Sequence, residues 1–513
     1  MASLFKWKKP FGLYISCLII ATGVLYYCTC SSPAYILNNW TDANMFLTIA
    51  KGINSGMVYF RDLYDQKGPF LFLLYQIPAL ISSSSFIGVF ILEVIMASLF
   101  LFSSYYCIRK LGAGKLTIIT LPIIAMCVYS SYCLLAGGTI EELLLPIFSF
   151  VIYDIIVFFK ENKTPSLWRL ILHGFLMGCV FWAKYTLIAL QISYFIALFF
   201  IPLFQKKYKE AFARFGWLFL GFTLATLPWI IYFWANNALD DMFKHYFYDN
   251  IFNYAVKRDF ITTLRFYKRF LLEWLNNNWL WSYFFGLGII FSLFIKKLRY
   301  FIPLTVAFMI FSLFAGGIVH PYTYLPFVVF LPFFFANVVK GIEYICKKID
   351  PLLSDNYFIR SNFFKGVKIA LFFLLIFVCV KASYYLSPNT KNEYYRKTLE
   401  EIPHYEYIEI MSKYENPSVL TCAVMDFGFY TLLDILPTQK YYCGTNNRTS
   451  ESYAEQLRYI NEGLCDFVFL PSWFKAPNIT DHYTLVLTSY AEPYLSYYGE
   501  PFELYQKTSM LKK

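Results

Sequence analysis

The sequence predicts an all-α polytopic membrane protein with a small α/β domain at its C-terminal end. Of its 513 residues, 58% are hydrophobic and only 15% are charged, which is too apolar for an ordinary soluble domain. Apolar segments of about 17–25 residues recur along the chain, and each is long enough to cross the hydrocarbon core of a bilayer. From about residue 387 the composition becomes that of a soluble protein. We therefore predict a transmembrane domain over 1–386 and a soluble domain over 387–513.

Eleven membrane-spanning helices are predicted from the apolar segments. They are expected near 11–29, 86–108, 116–135, 143–159, 169–183, 186–204, 215–235, 281–295, 301–316, 322–338 and 368–386. The first segment has no small-residue cleavage pattern and is followed by many like it, which predicts a retained span and not a removed signal peptide. The apolar segment 69–82 has only about 14 residues, which is short for a span. We predict an interfacial helix there, with an even number of crossings as the alternative.

The positions of the basic residues predict the orientation in the membrane. Lys and Arg concentrate before the first span and in alternate loops, a pattern typical of the cytoplasmic side. The clusters are Lys6, Lys8 and Lys9, then 109–115, 160–169, 206–214, 296–299 and 340–368. The net charge of +11 is therefore assigned to topology and not to a nucleic-acid partner. The first outer loop (30–85) and the C-terminal domain are expected outside the cytoplasm. The abundance of Tyr, Phe, Ile and Lys is compatible with an AT-rich bacterial genome, which favours a bacterial membrane.

The C-terminal domain is predicted to alternate strands and helices. "SVLTCAVM", "FGFYTLLDI" and "KYYCG" indicate a strand, a helix and a strand, and "SYAEQLRYINEG" followed by "DFVFLP" repeats the order of helix and strand. Neither GxxxxGK[ST] nor GxGxxG occurs in the chain, so no motif for a nucleotide phosphate is present. The twelve cysteines show no zinc-type spacing, and a bridge among Cys422, Cys443 and Cys465 is left open.

The stretch "WTDANMFLTIAKGINSGMVYFRDLYDQKGPF" (40–70) concentrates charge directly after the first span. Thr41 is predicted to cap a helix that begins at Asp42. An apolar stripe would lay this helix on the membrane surface with its N-terminus exposed. The stripe consists of Met45, Phe46, Ile49 and Ile53. Because the helix dipole favours a charged carboxylate in the first turn, Asp42 is expected to be ionised and able to accept a proton. The alternative is an aspartate that only helps to start the helix.

The second half of the same loop supplies a candidate phosphate ligand. The turn at "KGP" holds Lys67 at the membrane boundary, where an ammonium group can meet a lipid phosphate. A lysine that only snorkels to the interface is the alternative. Asp62 and Asp65 are candidates for substrate binding, although solvation of the loop or pairing with Arg61 and Lys67 is favoured over a direct part in catalysis.

Later outer loops add further candidates. Glu141 and Glu142 stand where a span emerges, a depth at which an unpaired charge is costly and often functional. Adjacent helix positions point about 100° apart, so one of the two is expected to face the site. Lys184 occupies a short turn between spans and is a second candidate for a phosphate. His320, in "GGIVHPY", is a candidate ligand of the substrate, with a structural, hydrogen-bonded histidine as the favoured alternative.

These loops resemble those of a known enzyme family. An acidic residue after the first span, followed by "AKGINSGMVYFRDLYDQKGP", is similar to the first outer loop of membrane glycosyltransferases of the GT-C type. Within that type it resembles the branch that contains the protein O-mannosyltransferases and the lipid A aminoarabinose transferase. "GGTIEELLLP" and "WAKYT" extend the resemblance over most of roughly the first 200 residues. Beyond them it rests on the layout of spans and outer domain alone.

The resemblance implies a GT-C-like fold and an enzyme that takes a sugar from a polyprenyl-phosphate or polyprenyl-diphosphate carrier. It places Asp42 at the catalytic centre, matches the second acidic position to Glu141, and assigns Lys67 and Lys184 to the phosphate. The neighbouring acidic pair of some relatives is absent because Ala43 follows Asp42. That absence argues against a metal site in this loop. No cofactor is implied with certainty, and a divalent cation is left open.

The residue types fit sugar transfer from a lipid phosphate. A phosphate leaving group needs its charge neutralised, which lysines can do. The acceptor hydroxyl, on an envelope glycan, lipid or protein, needs a base for its proton, and Asp42 can act as that general base. An inverting single displacement is the default expectation.

A transporter or flippase of polyprenyl-linked or anionic substrates is the alternative function. It would carry charges at mid-membrane and two halves with spans broken by Gly or Pro. The charges of this chain lie at one predicted face instead, which disfavours a transporter. If the protein were a sensor or a polymer-binding protein that acts through its outer domain, the polar loops near the first spans would have no function.

Overall fold

The computed structural model describes residues 9–254, 256, 259–314, 318–353, 362–447, 449–490 and 501–511. Lys6 and Lys8 of the first basic cluster, and part of the basic cluster 340–368, lie outside the described residues.

Helices make up most of the described chain. In chain order they are α1 (Lys9–Cys28), α2 (Thr41–Asn54), α3 (Pro69–Ile81), α4 (Ile87–Lys110), α5 (Thr120–Tyr129), α6 (Ile140–Leu143), α7 (Leu145–Glu161), α8 (Leu167–Lys184), α9 (Ala189–Phe204), α10 (Tyr208–Ala235), α11 (Leu239–Met242), α12 (Phe260–Asn277), α13 (Trp279–Leu293), α14 (Phe301–Phe314), α15 (Leu331–Leu353), α16 (Asn362–Leu386), α17 (Tyr405–Met411), α18 (Phe429–Leu432) and α19 (Ser450–Asn461). A π-helix follows α11, over Phe243–Tyr254, and 3₁₀ turns precede α5 (Lys115–Ile119) and α15 (Pro321–Phe330). Each of the eleven predicted spans coincides with a helix.

Several of these helices have the length and hydropathy of membrane spans. Within the described residues, six helical stretches are long and apolar enough to cross a bilayer. They are Pro10–Cys28, Ile87–Lys110, Leu167–Leu187, Tyr208–Ala235, Pro321–Cys346 and Ile369–Leu386. Shorter apolar helices accompany them, including α9, α13 and α14. The chain is a multi-pass membrane protein.

One compact unit contains most of the apolar helices and comprises Met1–Thr29, Leu92–Thr226 and Arg258–Lys391. Within it α1, α5 and α16 pack on one another, and α13 packs on α15. Helices α8 and α10 approach closely at glycines. A Cβ atom on Gly174 would lie 1.9 Å from the carbonyl oxygen of Leu218, and one on Gly221 would lie 1.9 Å from that of Ile171. Small residues at such a crossing let the two backbones meet, as is common between membrane helices.

The other compact unit comprises Cys30–Ile91, Leu227–Lys257 and Asn392–Lys513. Its four-stranded sheet contains β1 (Val419–Thr421), β2 (Phe467–Pro471), β3 (Tyr483–Ser489) and β4 (Phe502–Lys507) in the order β1-β2-β4-β3. β1 is parallel to β2, with Val419 opposite Phe467, and the other pairs are antiparallel. The predicted α/β character is confirmed. The strand expected at "KYYCG" is reduced to a single bridge between Thr421 and Cys443.

The first outer loop differs from its prediction in two respects. Helix α2 begins at Thr41, and Trp40 stands at its cap position without a side-chain cap hydrogen bond. The Thr41 hydroxyl instead donates to Sδ of Met425 (3.5 Å). The residues from Thr41 to Gly52 are buried, so α2 does not lie on a surface with an exposed N-terminus. The physical reason is that α3 and α18, from the same compact unit, pack against it.

Two further segments of the chain are helical, and the first of them, 69–82, was predicted to be a helix. The segment 69–82 forms α3, whose exposed apolar side chains include Ile77 and Leu80. An interfacial position for α3 stays a prediction. The loop 236–278 is largely helical in its described part, with α11, the π-helix and α12 in succession.

Candidate active site

Three charged side chains of the first outer loop come together. The Lys67 Nζ lies 3.5 Å from Oδ2 of Asp42 and 3.9 Å from Oδ2 of Asp65. Asp42 lies in the first turn of α2, and the turn before α3 carries Lys67. All three residues are less than a tenth exposed, and the Lys67 ammonium also lies 5.3 Å from the ring centre of Phe46. A carboxylate and an ammonium group are thus held side by side in a largely dry environment.

The environment of Asp65 differs from that of a solvated aspartate. Burial raises the pKa of its carboxyl group, the Lys67 ammonium opposes that rise, and the Asp42 carboxylate adds to it. No described side chain donates a hydrogen bond to either carboxylate oxygen of Asp65. Its described interactions with Asp42 and Lys67 are therefore electrostatic.

The backbone around Lys67 is held by a buried tyrosine. The Tyr59 hydroxyl lies 2.8 Å from the carbonyl oxygen of Asp65 and 2.7 Å from that of Lys67. Asp62 accepts hydrogen bonds from the amide of Val58 (2.8 Å) and from Arg61 (2.8 Å). The Arg61 guanidinium lowers the pKa of the Asp62 carboxyl group. Of the two roles considered for Asp62, these contacts favour stabilisation of the loop.

Residues of the C-terminal region complete the surroundings of α2. Asn446 donates a hydrogen bond to Oδ1 of Asp42 (3.1 Å). The Thr48 hydroxyl donates to Asp426 (2.7 Å), and Lys51 donates to Asp434 (3.0 Å). No local motif marks Asn446, because it is 404 residues from Asp42 in sequence. Sequence reasoning missed all three of these partners.

A second group of predicted residues gathers in the other compact unit. Lys184 Nζ lies 2.6 Å from Oε1 of Glu141, which is fully buried. The same ammonium lies 5.4 Å from the ring centre of Tyr322, on whose ring His320 is stacked at 5.1 Å. Glu141, Lys184 and His320 are therefore brought together, around a tyrosine that the prediction did not include. Tyr322 could have been considered from the sequence, because it lies two residues after the candidate His320 in "GGIVHPYTY".

Glu142 has different partners from Glu141, as expected from adjacent helix positions. It accepts a hydrogen bond from the amide of Gly138 (3.0 Å) and interacts with the carboxyl group of Glu93. The Thr29 hydroxyl donates to both oxygens of Glu93, at 2.9 and 3.0 Å. Glu93 lies in the apolar helix α4, where a charged residue is a signal in its own right, and sequence reasoning passed over it. The Glu93 and Glu142 pair anchors the segment that carries Glu141.

At Asp42, the described donor atoms do not form a divalent-cation site. Among the residues that the structure describes, no three His, Cys, Asp or Glu side chains gather in an arrangement that could hold a metal ion. At Asp42 the positive charge comes from the Lys67 ammonium, and the other oxygen accepts from an amide.

Comparison with known proteins identifies the fold. No family model and no curated protein matches the sequence. ArnT from Cupriavidus metallidurans bound to undecaprenyl phosphate matches with a TM-score of 0.57 and 11% identity, over 96% of this chain and 98% of that chain. The apo state of ArnT matches with a TM-score of 0.58 and 10% identity, over 98% of both chains. The archaeal oligosaccharyltransferase AglB from Archaeoglobus fulgidus matches with a TM-score of 0.45 and 12% identity, over 94% of this chain and 73% of that chain. The chain therefore has the fold of ArnT, a membrane glycosyltransferase of the GT-C type, over nearly its whole length.

Proposed function

We propose that this protein transfers a sugar from a polyprenyl-phosphate carrier to a hydroxyl group of an envelope glycan, lipid or protein. The observation that carries the proposal is the pairing of Asp42 with Lys67, 3.5 Å apart in a buried setting. It sets a proton acceptor beside a group that can neutralise a phosphate. The fold of ArnT, whose solved structure holds undecaprenyl phosphate, supports a lipid-linked donor.

The reaction that fits these groups is a single displacement. Asp42 accepts the proton of the acceptor hydroxyl as its oxygen forms a bond to the anomeric carbon. The bond from that carbon to the phosphate oxygen breaks, and polyprenyl phosphate leaves with the electron pair. The Lys67 ammonium stabilises the charge that gathers on the leaving phosphate. Attack opposite the leaving group inverts the anomeric configuration.

The placement of the reaction follows from the loops that carry these groups. We assign Asp42, Lys67 and the C-terminal region to the outer side of a bacterial cytoplasmic membrane, because the basic clusters occupy the alternate loops. A lipid-linked donor fits this side of the membrane, where sugar nucleotides are not made. Glu141 and Lys184 are assigned a supporting part in catalysis and in phosphate binding respectively.

A transfer assay with purified protein tests the proposal. Synthetic short-chain polyprenyl phosphates that carry different sugars are incubated with envelope acceptors, and mass spectrometry follows release of polyprenyl phosphate. Asp42→Asn is expected to abolish release while the variant still folds and inserts. Asp481→Asn, which removes an exposed carboxylate from the C-terminal region, is the matched control and should be active. Substantial turnover by Asp42→Asn refutes the general base, and donor binding without cleavage by the wild type favours a transporter instead.

A further inference from the structure

The loop 443–447 brings one exposed side chain to a buried carboxylate. Asp42 is 2% exposed, and Asn446, which donates to its Oδ1, is exposed. The residues on both sides of Asn446 are buried, at 5% for Thr445 and 2% for Asn447. An exposed asparagine normally satisfies its amide with water, so its direction towards a buried carboxylate requires that the loop be held in place.

The loop is held by its own contacts within the same compact unit. The Thr445 hydroxyl donates to the carbonyl oxygen of Asn447 (3.0 Å), and the amide of Gly444 donates to the carbonyl oxygen of Val424 (2.6 Å). Cys443 forms a parallel bridge with Thr421 at the end of β1. These contacts of the neighbouring residues with each other and with the sheet therefore hold the backbone that carries Asn446.

We propose that Asn446 is a positioning residue for the Asp42 carboxylate, so that the C-terminal region contributes directly to proton transfer. This role rests on the proposed function. Oδ2 of Asp42 faces Lys67, and Asn446 holds Oδ1. Because a carboxylate oxygen has two lone pairs, Oδ1 can accept from Asn446 and from an acceptor hydroxyl at the same time. A neutral amide orients the carboxylate without cancelling its charge, which a second ammonium group would do.

Kinetics of two substitutions test this role. Asn446→Ala is expected to lower kcat by about 10–100-fold, the range for a lost hydrogen bond to a charged group, with the donor KM little changed. Asn446→Asp places a carboxylate where the amide was, and two such groups favour sharing a proton. The acidic limb of the pH profile of kcat/KM should then move to higher pH, by about one to two pH units. The charged groups nearest to Asp42 in the wild type, Lys67 and Asp65, are unchanged in both variants. A merely structural role for Asn446 would not produce this shift.

Ser450→Ala is the matched control, since Ser450 is an exposed residue of the adjoining helix start. It should retain wild-type kcat and the wild-type pH profile. A wild-type pH profile in Asn446→Asp, or a kcat within twofold of wild type in Asn446→Ala, overturns the inference.

A thermodynamic cycle separates failure of this inference from failure of the proposed function. The change in Tm caused by Asn446→Ala is measured in the wild-type chain and in Asp42→Asn, with the full-length protein in detergent. The contact predicts a smaller change in the Asp42→Asn background. Equal changes overturn the inference and leave the proposed function standing. If the two changes in Tm differ but the wild-type protein transfers no sugar, the contact between Asn446 and Asp42 stands. The proposed function, and with it the role of Asn446 in proton transfer, is then overturned.

Discussion

Replacing Lys67 by glutamine removes the ammonium that Asp42 and Asp65 share. Its distances of 3.5 and 3.9 Å correspond to ~4–5 kcal/mol for each pair at an effective dielectric constant of about 20, before any cost of desolvation. Removing one partner of a buried ion pair typically costs ~3–5 kcal/mol of unfolding free energy. Because the Lys67 ammonium opposes the raised pKa of Asp65, its loss should raise that pKa further, and protonation of Asp65 will offset part of the cost.

The kinetic effect is expected to exceed what the loss of stability explains. A lost charged contact in a dry site is worth ~1.5–4 kcal/mol, which lowers kcat/KM by about one to three orders of magnitude. Loss of a contact that strengthens as the phosphate gathers charge lowers kcat, whereas loss of a contact that is equal in the ground state and the transition state raises KM alone. Lys67→Arg keeps the charge and should recover part of the activity where space permits.

The assay is steady-state transfer from a synthetic short-chain polyprenyl donor, corrected for the folded fraction. Lys51→Gln is the matched control: Lys51 is also buried on this loop, but it pairs with Asp434. It stands nine residues beyond Asp42 in α2, about 13 Å along the helix. We expect Lys51→Gln to lower Tm and to leave kcat/KM of the folded protein near wild type. A Lys67→Gln variant within twofold of wild type, or one that matches Lys51→Gln, would refute the assignment of Lys67 to the phosphate.

Further predictions concern stability, the Glu141 pair and topology. Burial raises the pKa of Asp426 to about 6 from an ordinary value of 3.8, so folding favours the protonated carboxyl group. The resulting contribution to the free energy of unfolding is fully present below about pH 4. It is lost as the pH rises through 6, by up to ~3 kcal/mol. Tm should therefore fall over this range in the wild type and less in Asp426→Asn, and equal slopes would contradict the burial argument. Glu141→Gln and Lys184→Gln should each lower kcat/KM by about 10–100-fold. The double variant should have nearly the same kcat/KM as either single variant, because the two residues form one ion pair. Additive losses would mean that the pair does not act as a unit. The topology is tested in a background without the exposed Cys346. In intact cells, a cysteine at 115 should resist a membrane-impermeant thiol reagent, and a cysteine at 391 should react with it. Labelling at 115 would overturn the assignment of the basic loops to the cytoplasmic side.

Hydropathy predicts the positions of the helices well because the length of an apolar segment is a local property. Each predicted span coincides with a helix, within a few residues at most ends. Two strands of the C-terminal sheet were also predicted, at β1 and β2. The strands β3 and β4 were missed. In β3 the successive residues Thr484 and Leu485 are both exposed and the register shifts near Leu485, so buried and exposed positions do not alternate regularly.

Long-range contacts explain why the candidate site was only partly predicted. The residues Asp42 and Lys67 were recognised as chemically suited, but their pairing with each other was not foreseen. The burial of α2 was missed because an apolar stripe describes one face of a helix, while its polar face is covered by residues far along the chain. Asn446 lies in an ordinary polar loop without any periodic signal. Glu93, by contrast, was visible as a lone carboxylate in a long apolar segment.

The burial of α2 also determines when the candidate site can assemble during synthesis of the chain. Its partners Asp426, Asp434 and Asn446 lie 378 to 404 residues beyond the positions that they contact. At a synthesis rate of about 5–20 residues per second, they emerge roughly 20–80 s after the helix itself. During that interval Thr48 and Lys51 have only water or lipid headgroups in place of Asp426 and Asp434, and Asp42 has Lys67 but lacks the amide of Asn446. A nascent or prematurely terminated chain can insert its first spans, yet it carries an unassembled site, so any transferase activity must wait for the last quarter of translation.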